Sequence, residues 1–86
     1  MKNINVERVK TRLHPLEVKK RAIDINLSGR LPKEYVRPFL ERFEKYKAMP
    51  FEKFQNHMIN VLNGRVANQD LVEEIELWIS EMYTEG

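Results

Sequence analysis

Apolar and polar positions recur along this chain with a helical period, in five stretches set apart by proline and glycine. The first runs from Asn5 to Leu13 and places Val6, Val9 and Leu13 on one side. The second, Pro15 to Leu27, is apolar on two sides. Leu16, Ile23 and Leu27 share one face, and Val18, Ala22 and Ile25 share the opposite one. A helix of that kind is either sandwiched in a core or docked on a partner. Ile23 to Leu27 also alternates as a short strand does, but no second strand offers itself as a mate, so helix is expected. Ser28 to Pro32 reads as a turn.

The third stretch begins between Pro32 and Pro38 and is expected to reach Ala48. Val36, Phe39, Leu40, Phe43 and Tyr46 form its stripe, with Arg37, Glu41, Glu44 and Lys45 opposite. Glu41 precedes Lys45 at the spacing and in the order that favour a helical ion pair. The fourth runs from Pro50 to Asn63, with Phe51, Phe54, Met58, Val61 and Leu62 inward. The fifth opens at Asn68, a good N-cap, and leaves Asp70 and Glu73 where the helix dipole favours acids. Its core face is Leu71, Val72, Ile75, Trp78, Ile79 and Met82, while Leu77 stands alone on the acidic side. Pro15, Pro38 and Pro50 fall near helix starts and Gly29 and Gly64 just past helix ends, as each residue's backbone prefers.

This pattern predicts an all-α fold, a small single-domain bundle of four to five short helices. Residues 1–30 would form a basic N-terminal segment and residues 31–86 the main aromatic core. The 86 residues suffice for one domain, and 42% hydrophobic against 33% charged residues is a soluble globular balance rather than a disordered one. The absence of cysteine excludes a disulfide framework and thiolate metal ligation. No apolar run has the length of a membrane span or the setting of a signal peptide, so a cytoplasmic protein with no membrane partner is expected.

Charge changes the picture more than composition does. Residues 1–30 carry eight Lys or Arg against three acids, residues 31–65 seven against four, and residues 66–86 none against six. Two arrangements follow from this asymmetry. Either a basic surface is offered to a polyanion or acidic partner, or the acidic end folds back and neutralises it.

Catalytic candidates are few. His14 and His57 are far apart with no evident partner, and no histidine pair has the spacing of a helical zinc site. Glu73 and Glu76 are close enough on one helix to meet, but a carboxylate metal site in a bundle draws on several helices and a histidine. Ser28 and Ser80 lack the setting of a nucleophile, and Gly29 and Gly64 are too isolated to cradle phosphate. No enzymatic activity and no cofactor are expected.

Two surfaces are candidates for binding. One is the cationic set Arg8, Lys10, Arg12, Lys19, Lys20, Arg21, Arg30, Lys33 and Arg37, which would give salt-sensitive contact to phosphates or steer an acidic protein into place. The other is the polar side of the fourth helix, with Gln55, Asn56, His57, Asn60 and Asn63 pointing away from its stripe; amide side chains read adenine in the major groove. Leu62-Asn63-Gly64-Arg65, followed by a short loop and a new helix, resembles the end of the recognition helix in Cro-like helix-turn-helix repressors, over roughly a third of the chain. The resemblance implies a DNA-binding regulator reading bases with Gln55, Asn56, Asn60, Asn63 and Arg65. The chain departs from that family before Phe51, where Met49-Pro50 replaces the compact helix and turn. The leading expectation is a small non-catalytic regulatory protein that docks on a larger protein or nucleoprotein machine, similar in type to phage or mobile-element inhibitors. Direct contact with DNA or RNA is the alternative, and a homodimer is compatible with either.

Overall fold

The computed structural model describes residues 11–83 and is all-helical over them, with no strand among the described residues. Four α-helices follow one another: α1 (Pro15–Leu27), α2 (Val36–Arg42), α3 (Phe51–Leu62) and α4 (Gln69–Met82), with a 3₁₀ turn at Glu44–Ala48 between α2 and α3. Residues 23–27 are the last turns of α1, so the strand alternative falls away.

Each boundary has a local cause. Pro15 opens α1, where its missing N–H costs nothing, and the His14 ring accepts a hydrogen bond from the Leu16 amide through Nδ1 at 3.0 Å. At α4 the side chain of Asn68 caps the helix, its Oδ1 accepting from the Leu71 amide at 3.1 Å. Gly29 and Gly64 follow α1 and α3 with φ of +76° and +78°, the left-handed conformation that closes a helix end.

Two of the expected helices need correction. Residues 5–10 of the candidate helix Asn5–Leu13 lie outside the described residues, but its end at Thr11–Leu13 is not helical. Those backbone groups are taken by Gln69, a buried amide in the first turn of α4. Its Oε1 accepts from the Leu13 amide at 2.9 Å and its Nε2 donates to the Thr11 carbonyl at 2.6 Å. The expected continuous helix to Ala48 is also broken, at Phe43, whose φ of −118° and ψ of 76° end α2. The break folds the aromatic stripe around Phe39. Phe43 stacks on it at 4.7 Å, Tyr46 reaches it at 5.9 Å, and Tyr46 also stacks on Phe54 at 4.9 Å. Lys45, turned off the helix, pairs with Glu74 rather than with Glu41.

A single apolar cluster holds the fold together. α1 packs against both α3 and α4, and α2 packs against α4. Val18, Ala22 and Ile25 come from α1, and Phe54, Met58, Val61 and Leu62 from α3; α2 adds Phe39, and α4 adds Leu71, Val72, Ile75, Trp78 and Ile79. Phe39 is fully buried, with Trp78 edge-on at 5.4 Å. Residues 15–27 are thus part of the same core as the aromatic helices. Met82, expected inward, is 40% exposed because the last turn of α4 runs past the core. No described helix is long and apolar enough to cross a membrane.

Candidate interaction surface

The charges of α4 decide which cations remain outward. Glu76 receives two hydrogen bonds from Arg21, from Nε at 3.1 Å and Nη2 at 2.6 Å. Glu81 is held the same way by Arg42, at 2.8 and 2.7 Å. Glu74 accepts from both Lys45 Nζ and the Tyr46 hydroxyl. Asp70 lies 3.8 Å from Arg12, and Glu73 accepts from Gln69 at 3.0 Å. All five acids of α4 are therefore engaged within the molecule. These contacts shift the groups that make them. Its hydrogen bond to Glu76, and then the charge of Glu76, hold the Arg21 guanidinium more firmly protonated, and Arg42 lowers the Glu81 carboxyl. Burial first, and then Glu74, push the Tyr46 hydroxyl well above its ordinary range.

The cationic set is divided by this arrangement. Arg8 and Lys10 lie outside the described residues. Arg21 turns toward α4, and Arg12 lies beside Asp70 in a looser contact, so the fold-back arrangement holds for these two. Arg37 is exposed and lays its guanidinium over the Phe51 ring at 4.5 Å. Lys19, Lys20, Arg30 and Lys33 form no ion pair with a described acid; Lys19 is partly covered and the other three are exposed. Arg30 and Lys33 stand on the connection from α1 to α2, continuing the cationic line past the end of α1. An open cleft of about 720 Å³ is lined by Arg21, Asp24, Arg30 and Glu76 among others. With both signs of charge present and Arg21 already bound to Glu76, it is not built to hold a small anion.

The polar side of α3 is less uniform than a recognition helix requires. His57 is partly buried and its Nε2 stands 2.9 Å from Asn68 Nδ2, so it buttresses the cap of α4. Asn26 Nδ2 donates to the Leu62 carbonyl at 3.3 Å and reaches Asn63 Oδ1 at 3.5 Å, tying the end of α3 to α1. Gln55 and Asn60 are half-buried, while Asn56, Asn63 and Arg65 are exposed. α3 packs on α1 in place of a compact preceding helix, and Met49-Pro50 is extended chain leading into it. Both histidines thus support helix ends, His14 directly and His57 through Asn68. No group of three or more His, Cys, Asp or Glu among the described residues could hold a metal ion.

The outer side of α1 is the most exposed apolar feature. Val18, Ala22 and Ile25 face the core, and the opposite face is left open: Leu16 is 69% exposed, Ile23 38% and Leu27 79%. Of the two arrangements open to a helix apolar on both sides, the sandwiched one does not occur among the described residues. Lys20 belongs to the same line, because Leu16, Lys20, Ile23 and Leu27 follow the alternating four- and three-residue spacing of a heptad seam. That spacing is legible in the sequence once the lysine is counted with the apolar residues. The Gln69 clasp had no comparable signal, since a lone glutamine in a first helical turn is usually solvated.

No family model, curated protein or solved structure matches this chain.

Proposed function

We propose that this chain is a small regulatory binding protein, without catalytic activity of its own, that docks on a larger protein or nucleoprotein machine through a cationic flank. One observation carries this reading: every acid of α4 is engaged, yet Lys19, Lys20, Arg30 and Lys33 are left without an ion-pair partner among the described residues. Unpaired cations on one connected stretch of chain, three of them exposed and Lys19 partly covered, raise the rate at which an acidic surface is found and orient it on arrival. A protein surface fits better than a base-reading role for α3, where His57 and Asn63 already serve internal contacts.

The test compares the wild-type chain with a Lys19→Glu/Arg30→Glu/Lys33→Glu variant, each immobilised and exposed to lysate of the source cells with and without nuclease. A protein retained by the wild type, resistant to nuclease, released by salt and lost with the variant is the expected result. Retention that vanishes on nuclease treatment would instead place nucleic acid as the target. Equal retention by both chains would remove the cationic flank from the account.

A further inference from the structure

We propose that two copies of this chain pair through the outer face of α1, the two helices running antiparallel about a two-fold axis level with Arg21 and Ala22. The seam shares Lys20 with the cationic flank but does not rest on Lys19, Arg30 or Lys33, so the pair and the docking role are tested by different substitutions.

The seam is Leu16, Lys20, Ile23 and Leu27, one line along a 13-residue helix. Its apolar members are exposed while Val18, Ala22 and Ile25 on the opposite side of the helix are buried, and exposed apolar side chains in heptad register are what one helix presents to another. Lys20 decides the orientation. In a parallel pair, equivalent positions meet, and Lys20 would face the second copy's Lys20. In an antiparallel pair, Leu16 meets the second copy's Leu27, and Lys20 lies along the second copy's Ile23. Its ammonium then reaches the second copy's Asp24, and the symmetric contact forms at the other end. Lys20 and Asp24 are spaced to pair within one helix but form no ion pair with any described residue, so both remain available. Antiparallel helix dipoles add a favourable term. The same patch is used twice, which is the isologous contact of the commonest oligomers.

The face is also held from behind. Ile23 lies against Gly64, where a Cβ would come within 2.6 Å of its Cδ1, and Asn26 is tied to the Leu62 carbonyl. A seam fixed in this way needs little ordering on association. Its extent is small, one seam along about 20 Å of helix, so the area it covers falls short of the roughly 800 Å² per partner of a stable complex. The pair is therefore a reversible one, forming at micromolar concentration or above.

Sedimentation equilibrium of the full chain, from low micromolar to submillimolar concentration, tests this directly. The wild type should shift from monomer to dimer, and Leu27→Ser should weaken the association by about tenfold or more, since two leucines lose their burial. Lys20→Glu should weaken it as well, and Lys20→Glu combined with Asp24→Lys should restore it. All these side chains are exposed, and circular dichroism checks that each variant keeps its helix. The chain has no cysteine, so Leu16→Cys and Leu27→Cys variants can be mixed and oxidised. Disulfides between unlike variants are expected to outnumber those between like ones. A chain monomeric throughout, a dimer indifferent to Leu27→Ser, or a predominance of like-to-like disulfides would overturn the proposal.

Discussion

α1 and α4 are neighbours of nearly equal length and opposite charge, yet they distribute their side chains in different ways. α4 turns its apolar face to the core and engages its acids with cations or polar groups from the Thr11–Leu13 segment, α1, α2, the 3₁₀ turn and its own first turn. α1 gives Val18, Ala22 and Ile25 to the core and Arg21 to α4, and keeps Leu16, Lys20, Ile23 and Leu27 outside. The comparison teaches that a charge imbalance along a sequence is first an internal matter. Only what remains after the internal pairing is a sign of something else to bind. In this molecule that remainder includes a short cationic line and, beside it, one apolar seam.

The contrast is broken most severely in the core. Ile75→Ala on α4, where the side chain is fully buried, should cost about 2–5 kcal/mol in chemical denaturation, whereas Leu27→Ala on α1 should change monomer stability by no more than about 0.5 kcal/mol. Cooperative unfolding of an 86-residue chain leaves a small margin, so the first variant should melt far below the wild type.

The contact between α1 and the end of α3 comes next. Gly64→Ala combines a left-handed backbone with a Cβ placed 2.6 Å from Ile23, and should cost more than the about 1–2 kcal/mol of the conformation alone. Gly29→Ala meets nothing within 4 Å and should cost only the conformational part. Adding Ile23→Ala should recover part of the loss at Gly64 and none at Gly29, a difference that a double-mutant cycle measures.

Electrostatic substitutions are smaller. The Arg21 and Glu76 side chains are about a third exposed, so Arg21→Ala should cost no more than about 1 kcal/mol, and Lys33→Ala should cost nothing measurable. An Arg21 effect that disappears in high salt would show that the bidentate geometry adds nothing beyond screened attraction.

One further effect is confined to alkali and is absent at neutral pH. The Tyr46 hydroxyl is raised above its ordinary value near 10 in the folded chain. Below that value tyrosine is protonated in both states and its contribution is fully present. As pH rises past 10 the unfolded chain ionises first, so stability falls until the folded hydroxyl also titrates. Tyr46→Phe removes this dependence along with the bond to Glu74, and its denaturation midpoint should decline less steeply above pH 10 than that of the wild type. Parallel declines would assign the alkaline loss to other groups.

Much of this architecture was legible along the chain. The stripes of α3 and α4 predicted their buried apolar residues, except that Phe51 is only partly buried and Met82 is exposed at the last turn, and Asn68, Pro15 and the two glycines marked boundaries by local chemistry. The break at Phe43 was not legible. Val36 to Tyr46 keeps a helical period throughout, and the chain leaves that period only because Tyr46 finds Phe54 and Glu74, both distant in sequence. The cationic set was legible as residues but not as a surface. Which of its members α4 would take depended on the packing of α1 beside α4.

The order of side chains alone determined that this chain is helical, where most helices start and stop, and which of their faces are apolar, because these follow from backbone preferences and from a period of a few residues. Tertiary structure decided which face of α1 is inside, which acids meet which cations, and that Gln69 holds Thr11 and Leu13. Those outcomes belong to pairs of residues far apart in the chain, and no local preference ranks one partner above another.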